Sequence, residues 1–450
     1  MAHKQLKIAF IHPDLGIGGA ERLVVDAAVG LQMKGHDVIF YTSHHDPKHC
    51  FEETRDGTLK VNVRGDWLPR TIFGRFYIIC AIFRQIVLAF SLIYQDDKEY
   101  DVLVIDQLSA CIPLFKSLSS ARILFYCHHP DLLLTTRESL IKKLYRIPVD
   151  KWEEWTTGMS DRIAVNSGYT GSVFKESFRS IKQTPEILYP PINFTGYDRS
   201  VDLNDESVKI LQCSQKMLIS INRFERKKNV ELALRAFASL KEMVSAETLS
   251  KYRLVLAGGY DRRVQENVEY LEELDQLAQT EFGLKTFTIY PSSLDLPPSD
   301  TQVIFLCSFN DAQRTYLLTE ADLMLYTPSN EHFGITPVEG MYGCLPVIAC
   351  NSGGPVETIK HEETGLLLPS DPEAWGCGIK DFVTGKYDKI KMGSQGREHV
   401  RQKFSLEAFS NQSQEIIDDM MAQPLKKSSI VLYFLFAMVM FLIAVVYACL

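Results

Sequence analysis

Short apolar runs alternate with helical periodicity from the start of the chain. The run LKIAFIH predicts a buried strand, and apolar residues then recur at the spacing of one helix face (Ala20, Leu23, Val24, Ala27, Ala28 and Leu31) before Gly35, a natural helix stop. Further β-rich runs follow: DVIFYTS, YDVLVID, ARILFYCH and DRIAVNS. Each is apolar enough for burial on both faces, as parallel strands are, so the pattern predicts a doubly wound α/β domain.

The same rhythm restarts after an interruption. The segment EILYPPINFTGYDRSVDLNDES contains two adjacent prolines and a polar run, which predicts an interdomain linker. Beyond it come the strand-like runs KMLISINRF, YRLVLAGG, TQVIFLCSF, ADLMLYTPS and LPVIACNS, with helical segments such as NVELALRAFASLKEMV between them. We therefore predict two Rossmann-like domains, residues 1–200 and 207–422, with a ligand cleft between the carboxyl edges of their sheets.

Two hydrophobic segments bear on membranes. Residues 430–450 carry no charge and as a helix would span roughly 31 Å, about the thickness of a hydrocarbon core, so we predict a transmembrane tail anchor. Lys426 and Lys427 precede it and favour a cytosolic flank. The second segment, 77–94, has Arg84 and Gln85 at its middle, which disfavours a spanning helix. A membrane-interfacial helix and a buried core helix both remain open for it.

Composition narrows the function classes. With 450 residues, 46% hydrophobic and 23% charged, the chain is a globular protein rather than a disordered or fibrous one. A net charge of -8 gives no reason to expect a nucleic-acid partner. The ten cysteines form no C-x-x-C pair, and the first apolar run is too short for a signal peptide. We expect reduced thiols and a protein whose bulk faces the cytosol.

The turn DLGIGGAER separates the first strand from the first helix. Counting from Gly16 and Gly18, the third position of G-x-G-x-x-G holds Glu21, so the sequence disfavours a nicotinamide oxidoreductase. Gly18 and Gly19 still open a helix, whose free N–H groups and dipole attract an anion. A tight strand-to-helix turn with no ligand is the alternative.

A basic cluster, NRFERKKN, follows the first strand of the second domain. Arg223 and Lys228 lie just past the strand end, where a loop delivers side chains to the ligand edge, whereas Arg226 and Lys227 can be simply solvated. No D-x-D occurs in the chain, so no obvious acidic site exists for a metal that would hold a diphosphate. We expect no metal and no cofactor, with arginine and lysine side chains binding a diphosphate instead.

Two glutamates bracket the segment NEHFGITPVEG. Thr336, Pro337 and Glu339 have the spacing of a capping box, with threonine as N-cap and glutamate at N3. Glu331 lies outside any such helix, in a loop where Gly334 would let backbone approach a ligand. The segment by itself allows both a helix start and a functional carboxylate pair.

The spacing of Glu331 and Glu339 resembles the E-x7-E motif of the retaining glycosyltransferases of family four, which have the two-domain B-type fold. GGAER, the spacing of Arg223 and Lys228, and NSGGPVE agree with that family, and the resemblance extends over essentially the whole soluble region. FYCHHPDLLL, SINRFERKKN, AGGYD and YTPSNEHFGITPVEGM resemble, more narrowly, the mannosyltransferases that build the dolichol-linked oligosaccharide.

The resemblance implies a role for each matching residue. Glu339 would bind the ribose hydroxyls, and Glu331, with the backbone of Phe333, Gly334 and Ile335, would hold the transferred sugar. Arg223 and Lys228 would stabilise the leaving diphosphate, which Gly18 and Gly19 would approach from the first domain. His128 matches the family's histidine near the reacting sugar, although the adjacent His129 leaves the choice within the pair open.

The resemblance also implies an activity. It is retaining transfer of mannose from GDP-mannose to a dolichyl-diphosphate oligosaccharide, making successive α1,3 and α1,6 linkages on the cytosolic face of the endoplasmic reticulum membrane. Other mannosyltransferases of that pathway are further candidate partners. Two rivals remain at this point: a family-four enzyme with a different nucleotide sugar, and an inactive scaffold that organises mannosyltransferases.

Overall fold

The computed structural model describes residues 4–72, 74, 76–95, 99–134, 140–198, 200–291, 293 and 295–425. The chain divides into two compact units, and each is described by itself. Unit 1 comprises Met1–Pro191 and Leu406–Leu450, and unit 2 comprises Ile192–Ser405. The predicted tail anchor, residues 430–450, lies outside the described residues.

Unit 1 is built on a parallel sheet of seven strands in the order β3-β2-β1-β4-β5-β6-β7. The strands are β1 (Lys7–His12), β2 (Asp37–Thr42), β3 (Lys60–Val63), β4 (Val102–Asp106), β5 (Arg122–Cys127), β6 (Arg162–Val165) and β7 (Glu186–Ile187). The chain winds outward from β1 in one direction and from β4 in the other. The switch point, where ligands bind in such sheets, therefore lies at the carboxyl ends of β1 and β4.

Helices flank both faces of this sheet. They are α1 (Gly19–Met33), α2 (Tyr77–Gln95), α3 (Ile112–Leu118), α4 (Asp131–Leu134), α5 (Leu140–Thr157), α6 (Gly168–Ser177) and α16 (Leu406–Ala422). Alternate strand residues point to opposite faces, so the sheet contributes to two separate hydrophobic clusters. As predicted, Gly35 follows the end of α1 in the left-handed conformation, with a φ of 91°.

Unit 2 repeats the design with strand order β10-β11-β9-β8-β12-β13-β14. Its strands are β8 (Lys216–Ile221), β9 (Tyr252–Gly258), β10 (Thr286–Ile289), β11 (Val303–Cys307), β12 (Ala321–Tyr326), β13 (Val347–Cys350) and β14 (Gly365–Leu368). Winding reverses between β8 and β12, so this pair forms the second switch point.

The helices of unit 2 pack around its sheet. They are α7 (Glu206–Lys209), α8 (Val230–Met243), α9 (Ala246–Ser250), α10 (Gln265–Gln276), α11 (Asp311–Glu320), α12 (Ile335–Tyr342), α13 (Pro355–Thr358), α14 (Pro372–Val383) and α15 (Lys389–Lys403). The largest side chain in the core is Trp375, which is fully buried and donates its indole N–H to the carbonyl of Pro369 at 2.9 Å. Burial of an aromatic residue with its polar atom satisfied favours a single packing arrangement.

The last described helix, α16, returns to unit 1, whereas the sequence prediction extended the second domain to residue 422. Phe409, Ile417 and Met420 of α16 are buried in the same hydrophobic cluster as α1. The close packing depends on Gly30 of α1, because a Cβ atom there would lie 2.1 Å from the Ser410 hydroxyl oxygen. Sequence periodicity identifies an apolar helix face but does not say which sheet that face covers.

Helix α2 is the segment for which core and interfacial placements were both open. Arg84 and Gln85, at its middle, are buried in the protein. Arg84 donates to the Ser43 carbonyl at 2.7 Å, and Gln85 donates to the Leu108 carbonyl at 2.6 Å. Among the described helices, only α2 is long and apolar enough to cross a membrane by length and composition, and half of that window is buried. The inward-facing side of α2 therefore belongs to the hydrophobic core of unit 1.

The packing of α16 on α1 predicts a destabilising substitution. Gly30→Val should cost about 1 to 3 kcal/mol of folding free energy, because the added side chain overlaps Ser410 and forces the two helices apart. Thermal unfolding of the full chain in detergent measures the effect. Met33→Ala, on the same helix at a side chain that is 76% exposed, is the control and should leave the midpoint nearly unchanged. Equal midpoints for wild type and Gly30→Val would contradict this packing.

Candidate active site

An ion pair lies at the switch point of unit 2. Lys228, which ends a short 3-10 turn after β8, donates from Nζ to the Oε1 of Glu331 at 2.5 Å. Glu331 follows β12, so the pair joins the two strands at which the winding reverses. The Thr327 hydroxyl donates to the Lys228 carbonyl at 2.7 Å and fixes this turn from the β12 side. The side chains of Lys228 and Glu331 are 14% and 28% exposed, so solvent screens their charges only in part.

The other cations of the basic cluster are more exposed. The Arg223 side chain is 59% exposed and pairs with Glu225 at 2.8 Å, while Lys227 pairs with the same carboxylate at 3.2 Å. Arg226 pairs with Glu273 at 2.5 Å. The structure thus brings Lys228 to the switch point beside Glu331, and it leaves the Arg223 side chain mostly exposed on the same loop.

The loop that carries Glu331 is held by its own backbone. The Gly354 N–H donates to the Glu331 carbonyl at 2.7 Å, and a Cβ atom at position 354 would lie 2.3 Å from the Phe333 carbonyl oxygen. Only glycine allows this close approach. Gly334 is the N-cap of α12, with a φ of 79°, and Ile335 is the first helical residue. No side chain in the described part of the chain caps this first turn, so its N–H groups are suited to an anion.

The predicted capping box is wrong. Helix α12 begins at Ile335, directly after Gly334, so Thr336 is its second residue rather than its N-cap. Glu339 is then too far along the helix to reach back to the cap. The left-handed conformation of Gly334 starts the helix earlier than the Thr-Pro sequence suggests.

Glu339 instead belongs to a buried hydrogen-bonded group within unit 2. The Tyr197 hydroxyl donates to Glu339 Oε1 at 2.6 Å, and Arg314 donates both to that same oxygen and to the Tyr197 hydroxyl. Burial and the Glu339 carboxylate raise the pKa of Tyr197, so its phenol stays protonated. Burial alone would lower the pKa of Arg314, but Glu339 raises it above its ordinary value. Among the described residues, Glu339 Oε2 has no partner and can accept bonds from a ligand.

The glycine turn of unit 1 lies beside a carboxylate of its own chain. Gly18 is the N-cap of α1, and Gly19 opens the helix, where an added Cβ atom would meet no neighbouring group within 4 Å. A Cβ atom on Gly18 would lie 2.2 Å from Glu21 Oε2, so glycine leaves room for that carboxylate over the helix start. Burial alone would raise the pKa of Glu21, but His12 and the Glu21 backbone N–H lower it below its ordinary value.

The adjacent histidines after β5 have different surroundings. His128 shares a 2.9 Å hydrogen bond from Nε2 to Asp106 Oδ2, while His129 Nδ1 lies 2.8 Å from the Pro130 carbonyl oxygen. Asp106 also binds His12, at 2.8 Å from Nδ1. His12 ends β1 and Asp106 ends β4, so His128 is connected to the switch point of unit 1 and His129 contacts its own loop.

Five residues near the predicted site were not singled out from the sequence: Tyr197, Arg314, His12, Asp106 and Glu21. His12 and Asp106 had the signal that identified His128, a polar residue at the carboxyl end of a buried strand. Tyr197 had none, because it lies in a segment whose composition predicts only a linker. Arg314 lies on α11 and reaches Glu339 through the tertiary fold.

Metal-ligating side chains are not grouped in the described ranges. No set of three or more His, Cys, Asp and Glu residues there is arranged to hold a metal ion. The nine described cysteines are all free thiols, and six of them are buried.

Two family profiles match nearly all of the described chain. Residues 17–195 match Glycosyltransferase Family 4, and residues 204–293 and 299–399 match Glycosyl transferases group 1. Solved structures agree in fold. The sucrose-phosphate synthase of Thermosynechococcus elongatus superimposes with a TM-score of 0.67 at 18% identity, covering 93% of this chain and 100% of that one. WaaG, a glycosyltransferase involved in lipopolysaccharide biosynthesis, gives 0.60 at 16% identity, covering 91% and 99%. At such identities the likeness shows the B-type glycosyltransferase fold alone.

Curated relatives are far closer in sequence. The alpha-1,3/1,6-mannosyltransferase ALG2 of Rhizomucor pusillus is 67% identical over 453 aligned positions, covering 100% of this chain and 98% of the relative. The human protein of the same name is 47% identical, covering 90% of this chain and 94% of the relative. With identity this high over nearly the whole length, the chain belongs to glycosyltransferase family 4 and, within it, to the family of the alpha-1,3/1,6-mannosyltransferases ALG2.

Proposed function

We propose that this chain transfers mannose from GDP-mannose to a dolichyl-diphosphate oligosaccharide, making an α1,3 and then an α1,6 linkage with retention. The observation that carries the proposal is full-length identity of 67% to a named mannosyltransferase. The Lys228–Glu331 ion pair, which lies where a ligand binds in such a sheet, supports the same reading. Together with Glu339, this pair argues against an inactive scaffold.

Lys228 and Arg223 are assigned to the diphosphate of the donor. As the bond from the mannose C1 to the phosphate oxygen breaks, negative charge grows on the departing GDP, and a nearby cation stabilises the transition state more than the ground state. Lys228 is already oriented by Glu331, so little reorganisation is needed when the diphosphate binds. The free N–H groups at the start of α12 supply further donors.

The carboxylates have separate assignments. Glu339 accepts hydrogen bonds from the ribose hydroxyls through Oε2, since Tyr197 and Arg314 occupy Oε1. Glu331 and the backbone from Phe333 to Ile335 hold the mannose, with the carboxylate near the positive charge that develops on its ring. The acceptor hydroxyl attacks C1 from the face that GDP leaves, and its proton passes to the departing phosphate oxygen. No separate nucleophile or strong base is needed in this route.

The unit 1 residues and the terminus complete the assignment. His128 contacts the reacting sugar, and Gly18 and Gly19 let the backbone approach the diphosphate. Residues 430–450 form a tail anchor that keeps the catalytic units on the cytosolic face of the endoplasmic reticulum, where a lipid-borne acceptor is available. Donor and acceptor are the only substrates required by this scheme, which uses no metal.

Purified full-length protein in detergent tests the activity directly. With a synthetic lipid diphosphate that carries one mannose on two N-acetylglucosamines, GDP-mannose should yield products larger by one and then two hexoses, measured by mass spectrometry. UDP-glucose should yield none. Product formed with UDP-glucose and not with GDP-mannose would show that the donor assignment is wrong. Binding of GDP-mannose without any product would favour an inactive scaffold.

Lys228→Ala should lower kcat/KM for GDP-mannose by roughly tenfold to a hundredfold, equivalent to about 1.4 to 2.7 kcal/mol of lost transition-state stabilisation. The reason is the loss of the cation nearest to the switch point. The adjacent Lys227→Ala is the matched control, because Lys227 is 66% exposed and pairs only with Glu225 among the residues described. If both variants turn over at the wild-type rate, Lys228 does not bind the diphosphate.

Tyr197→Phe should raise the KM for GDP-mannose roughly threefold to tenfold, the scale of one lost hydrogen bond, with a smaller effect on kcat. Without the phenol, the Glu339 carboxylate is held by Arg314 alone and is less well oriented toward the ribose. Steady-state kinetics across donor concentrations measure this. Tyr387→Phe removes a hydroxyl that lies 3.4 Å from the surface carboxylate of Glu362 and should leave KM unchanged. An unchanged KM in Tyr197→Phe would show that the phenol does not support donor binding.

A further inference from the structure

A chain of three ionisable side chains lies beneath the switch point of unit 1. The carboxylate of Asp106 is 2% exposed and contacts two imidazoles. Its Oδ1 lies 2.8 Å from His12 Nδ1, and its Oδ2 lies 2.9 Å from His128 Nε2. The three residues come from the carboxyl ends of three adjacent strands, β1, β4 and β5. These strands are parallel neighbours, so their carboxyl ends lie side by side.

The hydrogen bonds determine where the protons are. An ionised carboxylate only accepts hydrogen bonds, so both ring nitrogens that face Asp106 carry a proton. His12 therefore has its proton on Nδ1. When His128 is neutral it has its proton on Nε2, which leaves Nδ1 as its acceptor. The orientation of the His128 ring and its tautomer both follow from one contact to Asp106.

A second carboxylate acts on His12 from the other side. His12 is 1% exposed, and its Nε2 lies 3.6 Å from Glu21 Oε1, without a hydrogen-bond partner in the described part of the chain. Burial alone would lower the pKa of His12, but Asp106 and Glu21 raise it to about 10. Burial alone would likewise raise the pKa of Asp106, yet His12 and His128 lower it below its ordinary value. His12 is thus a buried imidazolium between two carboxylates.

The ionisable groups that face this cluster can be named from each surrounding element. They are His12 on β1, Glu21 on α1, Asp106 on β4, Tyr126 on β5 and His128 after β5. The Tyr126 ring lies against the His128 ring with a centroid distance of 4.8 Å. Burial raises the pKa of Tyr126 well above its ordinary value, so Tyr126 contributes no charge. The net charge next to His128 is therefore set by His12, Asp106 and Glu21.

We infer that His12 and Asp106 are positioning residues for His128. The His12 charge offsets part of the Asp106 charge, and Asp106 holds His128 by its Nε2–H, so that Nδ1 meets the substrate. This step rests on the proposed function, which places His128 at the reacting sugar. His12 and Asp106 themselves touch no substrate in this scheme and act through His128.

This relay, in which His12 and Asp106 position His128, predicts opposite effects of two substitutions on His128. In His12→Gln, Asp106 keeps its full charge without a cationic neighbour, so the ionisation midpoint of His128 should rise by about one pH unit. In Asp106→Asn the negative charge is lost, so that midpoint should fall by a similar amount. Protein labelled with 15N-histidine in detergent, followed by NMR of the ring nitrogens against pH, measures the midpoints without any assay of transfer.

Kinetics provide the second readout. Both variants should lose at least tenfold in kcat with less than a threefold change in KM for GDP-mannose. The limb of the kcat–pH profile that reports His128 should move upward in His12→Gln and downward in Asp106→Asn. His36→Gln is the structural control: His36 is buried in unit 1 and bonds to the Leu6 N–H and to Gln414, away from Asp106. It should alter stability without moving the profile.

The two readouts separate two kinds of failure. A wild-type protein that forms no mannosylated product would overturn the proposed function, while the NMR midpoints would still test the relay. Unchanged midpoints, or midpoints that move in the same direction in both variants, would overturn the relay even in an active enzyme. If either variant does not fold, His12→Lys or Asp106→Glu takes its place. Because each keeps the charge of the residue that it replaces, the ionisation midpoint of His128 should then stay near its wild-type value.

Discussion

Parallel pairing of buried strands is the constraint on which the candidate site depends. Because every strand in both sheets runs in the same direction as its neighbours, all the carboxyl ends of a sheet lie on one edge. Strand interiors here are almost entirely apolar, so ionisable side chains come at or after these ends. Lys228 and Glu331 meet in this way in unit 2, and His12, Asp106 and His128 meet in this way in unit 1. The strand order and direction therefore determine which ionisable side chains lie together at each candidate site.

The two units use that edge differently. In unit 2 the charged groups are partly exposed, and one carboxylate oxygen of Glu339 is open to a ligand, as suits a surface that binds and releases a nucleotide. In unit 1 His12 and Asp106 are almost fully buried, and His12 Nδ1 lies 2.8 Å from Asp106 Oδ1. Burying an ion pair has a desolvation cost, which good geometry offsets only in part. Such a pair is better explained by the orientation that it imposes on His128 than by a gain in stability.

The sequence predicted the central parts of the fold well. Ten apolar runs correspond to the ten interior strands, because a strand buried on both faces has an unmistakable composition. The remaining strands, β3, β7, β10 and β14, lie at the sheet edges, are short, and were not predicted. Each pairs with the strand next to it in chain order, but most residues of these edge strands are not fully buried, so their composition is less distinctive. The sequence also did not reveal that α16 packs on unit 1, because its partner helix α1 is distant in the chain.

The candidate site was predictable where a residue's position along the chain determines its place in space. Lys228, Glu331 and His128 follow strands, and the structure places all three at the expected edges. Tyr197 and Arg314 reach Glu339 across 142 and 25 residues of chain, which no local pattern encodes. The capping-box interpretation of Thr336 was wrong because the conformation of Gly334, not the spacing of Thr336 and Glu339, determines where α12 begins.

We propose that side chains of unit 2, with Lys228 foremost, hold the diphosphate without help from a bivalent cation. Calorimetric titration of the full-length protein with GDP, in buffer with and without EDTA, measures whether a cation is needed. We expect the same affinity in both buffers. Binding that disappears in EDTA and returns when manganese is added in excess would show instead that a bivalent cation holds the diphosphate.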